Sequence, residues 1–110
     1  MKTRQIDVTQ VSVLVTGTAV TPAATGMDAK FIGSVTDNGT GDYTIAVAAG
    51  QKAQADLVPV GIVSVTPGVT AAVTAVSEDS LTVECLNNTG APIDADIYVT
   101  FLHRKYGTNL

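Results

Sequence analysis

The sequence is poor in the residues that anchor large cores or cross-link chains. Among its 110 residues there is no tryptophan, and there are only two phenylalanines and three tyrosines. The single cysteine, Cys85, excludes an intrachain disulfide, which fits synthesis in a reducing cytoplasm. No apolar run reaches the roughly 18 residues of a membrane-spanning helix, and no secretion signal follows Met1. We therefore expect a single soluble domain over 1–110 with no membrane partner.

Positive charge is also sparse. The chain has six Lys and Arg against ten Asp and Glu, which gives a net charge of −4. Binding to nucleic acid is driven by contacts between basic side chains and phosphates. The four cations nearest the ends of the chain, at positions 2, 4, 104 and 105, do not form one dense patch in the sequence. We expect no nucleic-acid partner.

What the sequence has in abundance is β-branched residues. Valine and threonine occur 16 times each and isoleucine six times, and such side chains fit a pleated sheet better than a helix. No segment of ten residues follows a helical period, whereas short stretches alternate between apolar and polar residues. The pattern predicts an all-β fold, a small antiparallel sandwich or barrel of 6–8 short strands.

The first thirty residues are harder to interpret. Residues 1–8 predict a flexible N-terminal arm, because they begin with a polar, cationic segment. A slip in the alternation near Gln10 predicts a bulge or a break between two strands. Residues 16–30 are small and polar, and they predict an extended loop, which is unusual in a compact domain and often serves a function.

Alternation with turn residues predicts two hairpins. One has strands at 31–36 and 42–48 around Asn38-Gly39, which supplies the positive φ angles of tight turns. The other begins at Val69 and continues through the last strand, so that residues 69–104 form a three-stranded antiparallel meander. Pro59 predicts that the strand near 57–65 lies at the edge of a sheet.

Few residues suggest chemistry. Cys85 lies at an apolar position of a predicted strand, and His103 is the only histidine. The two could form a nucleophile and base if their strands were adjacent, but nothing in the local sequence supports that pairing. Asp37 and Asp42 could supply oxygen ligands to Ca²⁺, although a hairpin turn explains both. We expect no enzyme activity, no catalytic residue, no cofactor and no metal site.

Two segments resemble the small β-modules of tailed-bacteriophage virion proteins. One is VTDNGTGDYTI at 35–45. The other is SLTV at 80–83, followed by the loop 87–92 and DADIYV at 94–99. Among such proteins the chain length is most similar to that of capsid decoration proteins, which stabilise an expanded head. The resemblance assigns no functional residue.

The resemblance implies a structural protein of the virion. It would be made in the bacterial host cytoplasm and bind the outer surface of the capsid, where it would bridge neighbouring subunits of the major capsid protein. It would also associate with itself, as a homotrimer rather than a dimer. The alternative is a tail-associated adhesin or fibre module that binds a host surface glycan. The length and low charge of the arm and of the 16–30 loop predict partner contacts at Lys2, Arg4, Ile6, Val8, Pro22, Met27 and Phe31.

Overall fold

The fold was analysed in a computed structural model. It describes the backbone of residues 3–49 and 57–109, and the side chains of residues 9–26, 28–49 and 57–103. Within these ranges the chain forms eight strands and one short 3₁₀ helix, so the predicted all-β class is confirmed. In chain order they are β1 (Thr3–Thr16), β2 (Ala24–Thr25), the helix η1 (Met27–Phe31), β3 (Ile32–Gly39), β4 (Asp42–Val47), β5 (Leu57–Ser64), β6 (Val69–Val76), β7 (Ser80–Asn87) and β8 (Asp96–Asn109).

The strands form two antiparallel sheets that pack as a sandwich. The first sheet has the order β2-β1-β8-β5, and the second has the order β3-β4-β7-β6. The predicted hairpins β3–β4 and β6–β7 are both present. The predicted edge position of the strand around Pro59 is also confirmed, because β5 ends the first sheet and has a register shift between Pro59 and Gly61.

The core lies between the two sheets and follows the predicted alternation. Every second residue of the central strands is buried, and the residues between them point away from the core. Among the described side chains, the buried ones are apolar apart from one tyrosine and one cysteine. The buried set is Val11, Val13, Val15, Tyr43, Ile45, Leu57, Leu81, Val83, Cys85, Ala95, Ile97, Val99 and Phe101.

The N-terminal segment differs from its prediction. Residues 3–8 belong to β1, which pairs with β8 without interruption from Thr3 to Thr16, so there is no bulge at Gln10 and residues 3–8 are not a free arm. In the described part of the chain, β5 pairs with β8 as far as His103, and residues 3–8 and 104–109 pair with each other beyond it as a ribbon. The slip in the sequence separates the ribbon from the part of β1 that supplies the core.

The 16–30 segment is not the structureless loop that the sequence predicts. It turns back on β1, where the Thr16 N–H donates to the Ala23 carbonyl over 2.9 Å. β2 then pairs with β1 at Leu14 and Val15, and η1 follows. The small residues of this segment allow its close return to β1. The sequence does not reveal β2, because a strand of two residues is too short to show an alternating pattern.

The meander predicted over 69–104 is wrong in its last strand. β6 and β7 pair in the second sheet, but β8 lies in the first sheet between β1 and β5. The connection crosses the sandwich after Asn87, where Leu86 and Pro92 form an isolated bridge. Alternation shows which face of β8 is buried, but it does not show which strands are its neighbours.

Candidate interaction surfaces

The outer face of the first sheet carries two rows of apolar side chains. Leu14, Tyr98 and Val63 stand side by side across β1, β8 and β5, because Tyr98 is opposite both of the others. Tyr98 is 43% exposed and Val63 is 59% exposed. A second row contains Leu102 and Val58, which are half-buried, and a polar row with Ser12 and Thr100 lies between the two apolar rows. We call the five apolar residues the apolar face, because exposed apolar side chains grouped on one face of a small protein often mark an interaction site.

The outer face of the second sheet is polar by comparison. Thr36, Thr44 and Thr82 form a row across β3, β4 and β7, which we call the threonine face. Thr44 accepts a hydrogen bond of 2.7 Å from the Asn38 side-chain amide. Hydroxyl-bearing rows of this kind suit a sheet face that stays in contact with water. The two outer faces therefore differ in the chemistry that they present.

One flank of the sandwich is closed by η1. The Asp28 carboxylate accepts the Ser12 N–H over 3.0 Å, which occupies a backbone donor at the outer edge of β1. The Phe31 ring lies 4.7 Å from the His103 ring, centroid to centroid, and η1 contacts both β1 and β3. A charged side chain turned against an edge strand blocks further strand pairing. This closed flank leaves little room for a partner strand.

No described segment covers the opposite flank, which we call the open flank. β5 ends the first sheet and β6 ends the second, and the two strands run side by side there. Between them lies a groove of about 440 Å³. Its lining contains no charged residue and consists of Pro59, Val60, Gly61, Ile62, Ala71, Ala72, Val73 and Val76.

A buried hydroxyl joins three loops at one end of the sandwich. The Tyr43 hydroxyl lies 2.9 Å from Asp94 Oδ1 and 3.0 Å from the Gly17 carbonyl oxygen, both of which can accept its proton. The Gly41 N–H also donates to Asp94 Oδ1, over 2.8 Å. Burial, followed by the hydrogen bond to Asp94 and its charge, raises the pKa of Tyr43 above its usual range. This tyrosine cluster fixes the loops and leaves no donor directed to a ligand.

The residues considered for nucleophilic catalysis do not meet. Cys85 lies on β7 of the second sheet, and His103 lies on β8 of the first, so their strands are not adjacent. Cys85 is fully buried, as the sequence predicts, and its backbone bonds to Gly41 and Ile93 near the tyrosine cluster. Burial, then the charges of Asp94 and Glu84, raise the pKa of the Cys85 thiol. His103 packs on Phe31 at the closed flank instead.

The acidic residues of the turns serve the backbone. Asp37 Oδ1 accepts the Gly39 N–H over 3.0 Å, which is an Asx turn and accounts for the carboxylate considered as a Ca²⁺ ligand. Asp96 Oδ1 accepts both the N–H and the hydroxyl of Thr18, over 3.0 and 2.7 Å. In the described part of the chain, no group of three or more His, Cys, Asp or Glu side chains is placed to hold a metal ion.

The predicted partner contacts have different outcomes. Lys2 lies outside the described residues. Only the backbone is described for four others, three in the ribbon and one at the start of η1: Arg4, Ile6, Val8 and Met27. Pro22 is buried, and Phe31 is half-buried with its ring against His103.

The apolar face was not predicted as a site, although a signal for it exists. In the last strand, Tyr98 lies between the core residues Ile97 and Val99 and Leu102 follows Phe101, so both faces of β8 carry large apolar side chains. A strand with this composition is typical of a sheet covered on both sides. Here the core covers one side, and the other side is the apolar face.

No family model, curated protein or solved structure matches this chain. Among the described residues there is no helix long and apolar enough to cross a membrane.

Proposed function

We propose that this protein is a structural component of a tailed-phage virion that binds the outer surface of the capsid and bridges neighbouring major capsid protein subunits. It would act by binding alone, without catalysis or a cofactor. The proposal combines the resemblance of residues 35–45 and 80–99 to phage β-modules with the surface of the sandwich. The apolar face would be the surface that contacts the capsid.

The observation that carries the proposal is the difference between the two outer faces. The exposed Tyr98 and Val63 side chains contribute to stability or binding only when a partner covers the face on which they lie. Covering apolar area contributes roughly 25 cal/mol per Å² before the costs of association are subtracted. Each contact would be weak, but repetition over a capsid lattice raises the effective affinity.

The direct test is co-sedimentation of the purified protein with expanded, undecorated capsids from the genome that encodes it. We expect saturable binding at a fixed ratio to the major capsid protein. Tyr98→Lys, which places a charge in the centre of the apolar face, should reduce that binding. Thr36→Lys places the same charge on the exposed threonine face and should leave binding unchanged.

The outcomes separate the proposal from its alternative. Absence of capsid binding by the unmodified protein would contradict the proposal, as would equal effects of the two lysine variants. A tail-associated adhesin would instead be retained on a host surface glycan, with the exposed Tyr98 ring as the stacking surface for a sugar. Incubation with a glycan array therefore forms the second arm of the experiment.

A further inference from the structure

The open flank differs from the closed flank in its backbone as well as in its side chains. The Val65 N–H donates to the Asp96 carbonyl of β8 over 2.8 Å. Because successive residues of a strand direct their N–H groups to opposite sides, Val63 and Gly61 also face β8. Ile62 and Ser64 therefore direct their backbone groups away from the sheet, where no described strand pairs with β5.

Exposed edges of this kind are usually protected by charge. Lysines on the edge strand, or a charged side chain turned inward as Asp28 is on the closed flank, prevent pairing with another chain. Residues 57–77 contain no Asp, Glu, Lys or Arg, and this stretch covers all of β5 and β6. An uncharged edge beside an apolar groove is suited to being covered by another strand.

From this geometry we infer that a second copy of this chain docks on the open flank, with the β5 strands of the two copies paired antiparallel about a two-fold axis. The register would be centred on Val63, so that Ile62 of each copy pairs with Ser64 of the other. Pro59 and Pro67, which cannot donate a backbone hydrogen bond, then stand opposite each other at the two ends of the paired segment.

Charge favours a second copy over an acidic or basic partner. Each chain carries a net charge of −4, so two copies repel each other wherever acidic surfaces meet. Residues 57–77 contain no charged side chain, so pairing this segment with its copy would bury no unpaired charge. Added salt should therefore leave the dimer unchanged or tighten it, because salt screens only the repulsion between the rest of the two chains.

The dimer would also deepen the proposed function, although it does not depend on it. Joining the two β5 strands makes one eight-stranded sheet from the two first sheets. The apolar face of each copy lies on that sheet, so the dimer would present two rows of Leu14, Tyr98 and Val63 on one surface. Two linked rows can engage neighbouring capsid subunits at once.

The test is sedimentation equilibrium of the full-length protein over a wide range of concentration, without capsids. We expect a monomer–dimer equilibrium. Val60→Glu places a charge at the groove, where Val60 is 53% exposed. It should raise the dissociation constant of the dimer by about tenfold or more. Val20→Glu is the matched control, because Val20 is fully exposed in the segment before β2, away from the open flank.

A second variant tests the backbone pairing itself. Ser64→Pro removes an outward N–H that the monomer does not use for its sheet, so it should abolish the dimer while the thermal unfolding transition is retained. A protein that stays monomeric at every concentration would overturn the inference. So would a trimer, or a dimer that responds equally to Val60→Glu and Val20→Glu. Capsid binding by monomeric Val60→Glu would show that the proposed function stands independently.

Discussion

Replacing Tyr43 with phenylalanine tests whether the tyrosine cluster stabilises the fold. The ring of Tyr43 is fully buried, and phenylalanine keeps that ring, so the substitution removes one oxygen and leaves no large cavity. The lost hydroxyl lies 2.9 Å from Asp94 Oδ1 and 3.0 Å from the Gly17 carbonyl oxygen. Asp94 keeps the hydrogen bond from the Gly41 N–H, so the carboxylate is not left without a donor.

The expected cost follows from the charge of the acceptor. A hydrogen bond to a charged group contributes about 1.5–3 kcal/mol to the free energy of unfolding. For a domain of this size, each kcal/mol shifts the melting temperature by about 4 °C. We therefore expect Tyr43→Phe to melt roughly 6–12 °C below the unmodified protein at neutral pH, as measured by calorimetry.

The pH dependence makes the prediction more specific. In the unfolded chain Tyr43 ionises near pH 10, whereas burial and Asp94 raise its pKa in the folded protein. The stability from this group is complete below about pH 10 and is lost above it by up to about 1.4 kcal/mol per pH unit, because only the unfolded state releases the proton. Phenylalanine cannot ionise, so the difference between the two proteins should shrink as pH rises past 10.

The exposed tyrosine provides the control. Tyr98→Phe should change the melting temperature by little, because the Tyr98 side chain is 43% exposed and makes no hydrogen bond within the described chain. The reasoning would be refuted if Tyr43→Phe melted at the same temperature as the unmodified protein. A difference in stability that stayed constant from neutral pH to pH values well above 10 would refute the role assigned to burial of the hydroxyl.

Three further experiments test separate parts of the fold. Gly41→Ala should lower the free energy of unfolding by about 1–3 kcal/mol in chemical denaturation, because φ at Gly41 is +68° and an added Cβ would lie 2.6 Å from a backbone oxygen. Gly61→Ala is the control and should be nearly neutral, because a Cβ added there meets no other atom. Cys85 should react with a thiol reagent only at the rate of unfolding, and fast labelling of the native protein would contradict its burial. Asp28→Ala should lower the free energy of unfolding by about 1 kcal/mol, because the Ser12 N–H loses its acceptor. Aggregation, measured by light scattering, should rise because the β1 edge loses its charge. Asp37→Ala is the control for loss of an acid elsewhere.

The parts of the fold that the sequence predicts correctly are those set by local chemistry. The hairpin of β3 and β4 is predicted correctly, but its two-residue connection is Thr40-Gly41, where Gly41 has φ of +68°, whereas Asn38 and Gly39 lie in β3 at a register shift. The second hairpin follows from the alternation of β7, which places Val83 and Cys85 in the core, whereas β6 has a register shift between Val73 and Ala75. Both signals lie within about 20 residues, so no distant part of the chain is needed to interpret them.

The errors concern pairing between distant segments. The alternation of β8 is equally compatible with β7 as a neighbour and with β1, and only the packing of the whole chain decides between them. The partner contacts at Pro22 and Phe31 stay predictions, but the composition on which they rest did not reveal the local structure of this segment. A flexible composition does not show that residues 16–30 return to β1 and that Phe31 packs on His103.

The two surfaces proposed for binding meet in a single strand, which makes them separable by experiment. In β5 the side chain of Val63 points to the apolar face, whereas the outward backbone groups of Ile62 and Ser64 lie at the open flank. The Ser64 N–H belongs to the paired edge alone, whereas the Tyr98 side chain lies one strand away from that edge on the apolar face. Removal of the Ser64 N–H should therefore affect self-association directly, and a change of side chain at Tyr98 should affect capsid binding more than self-association.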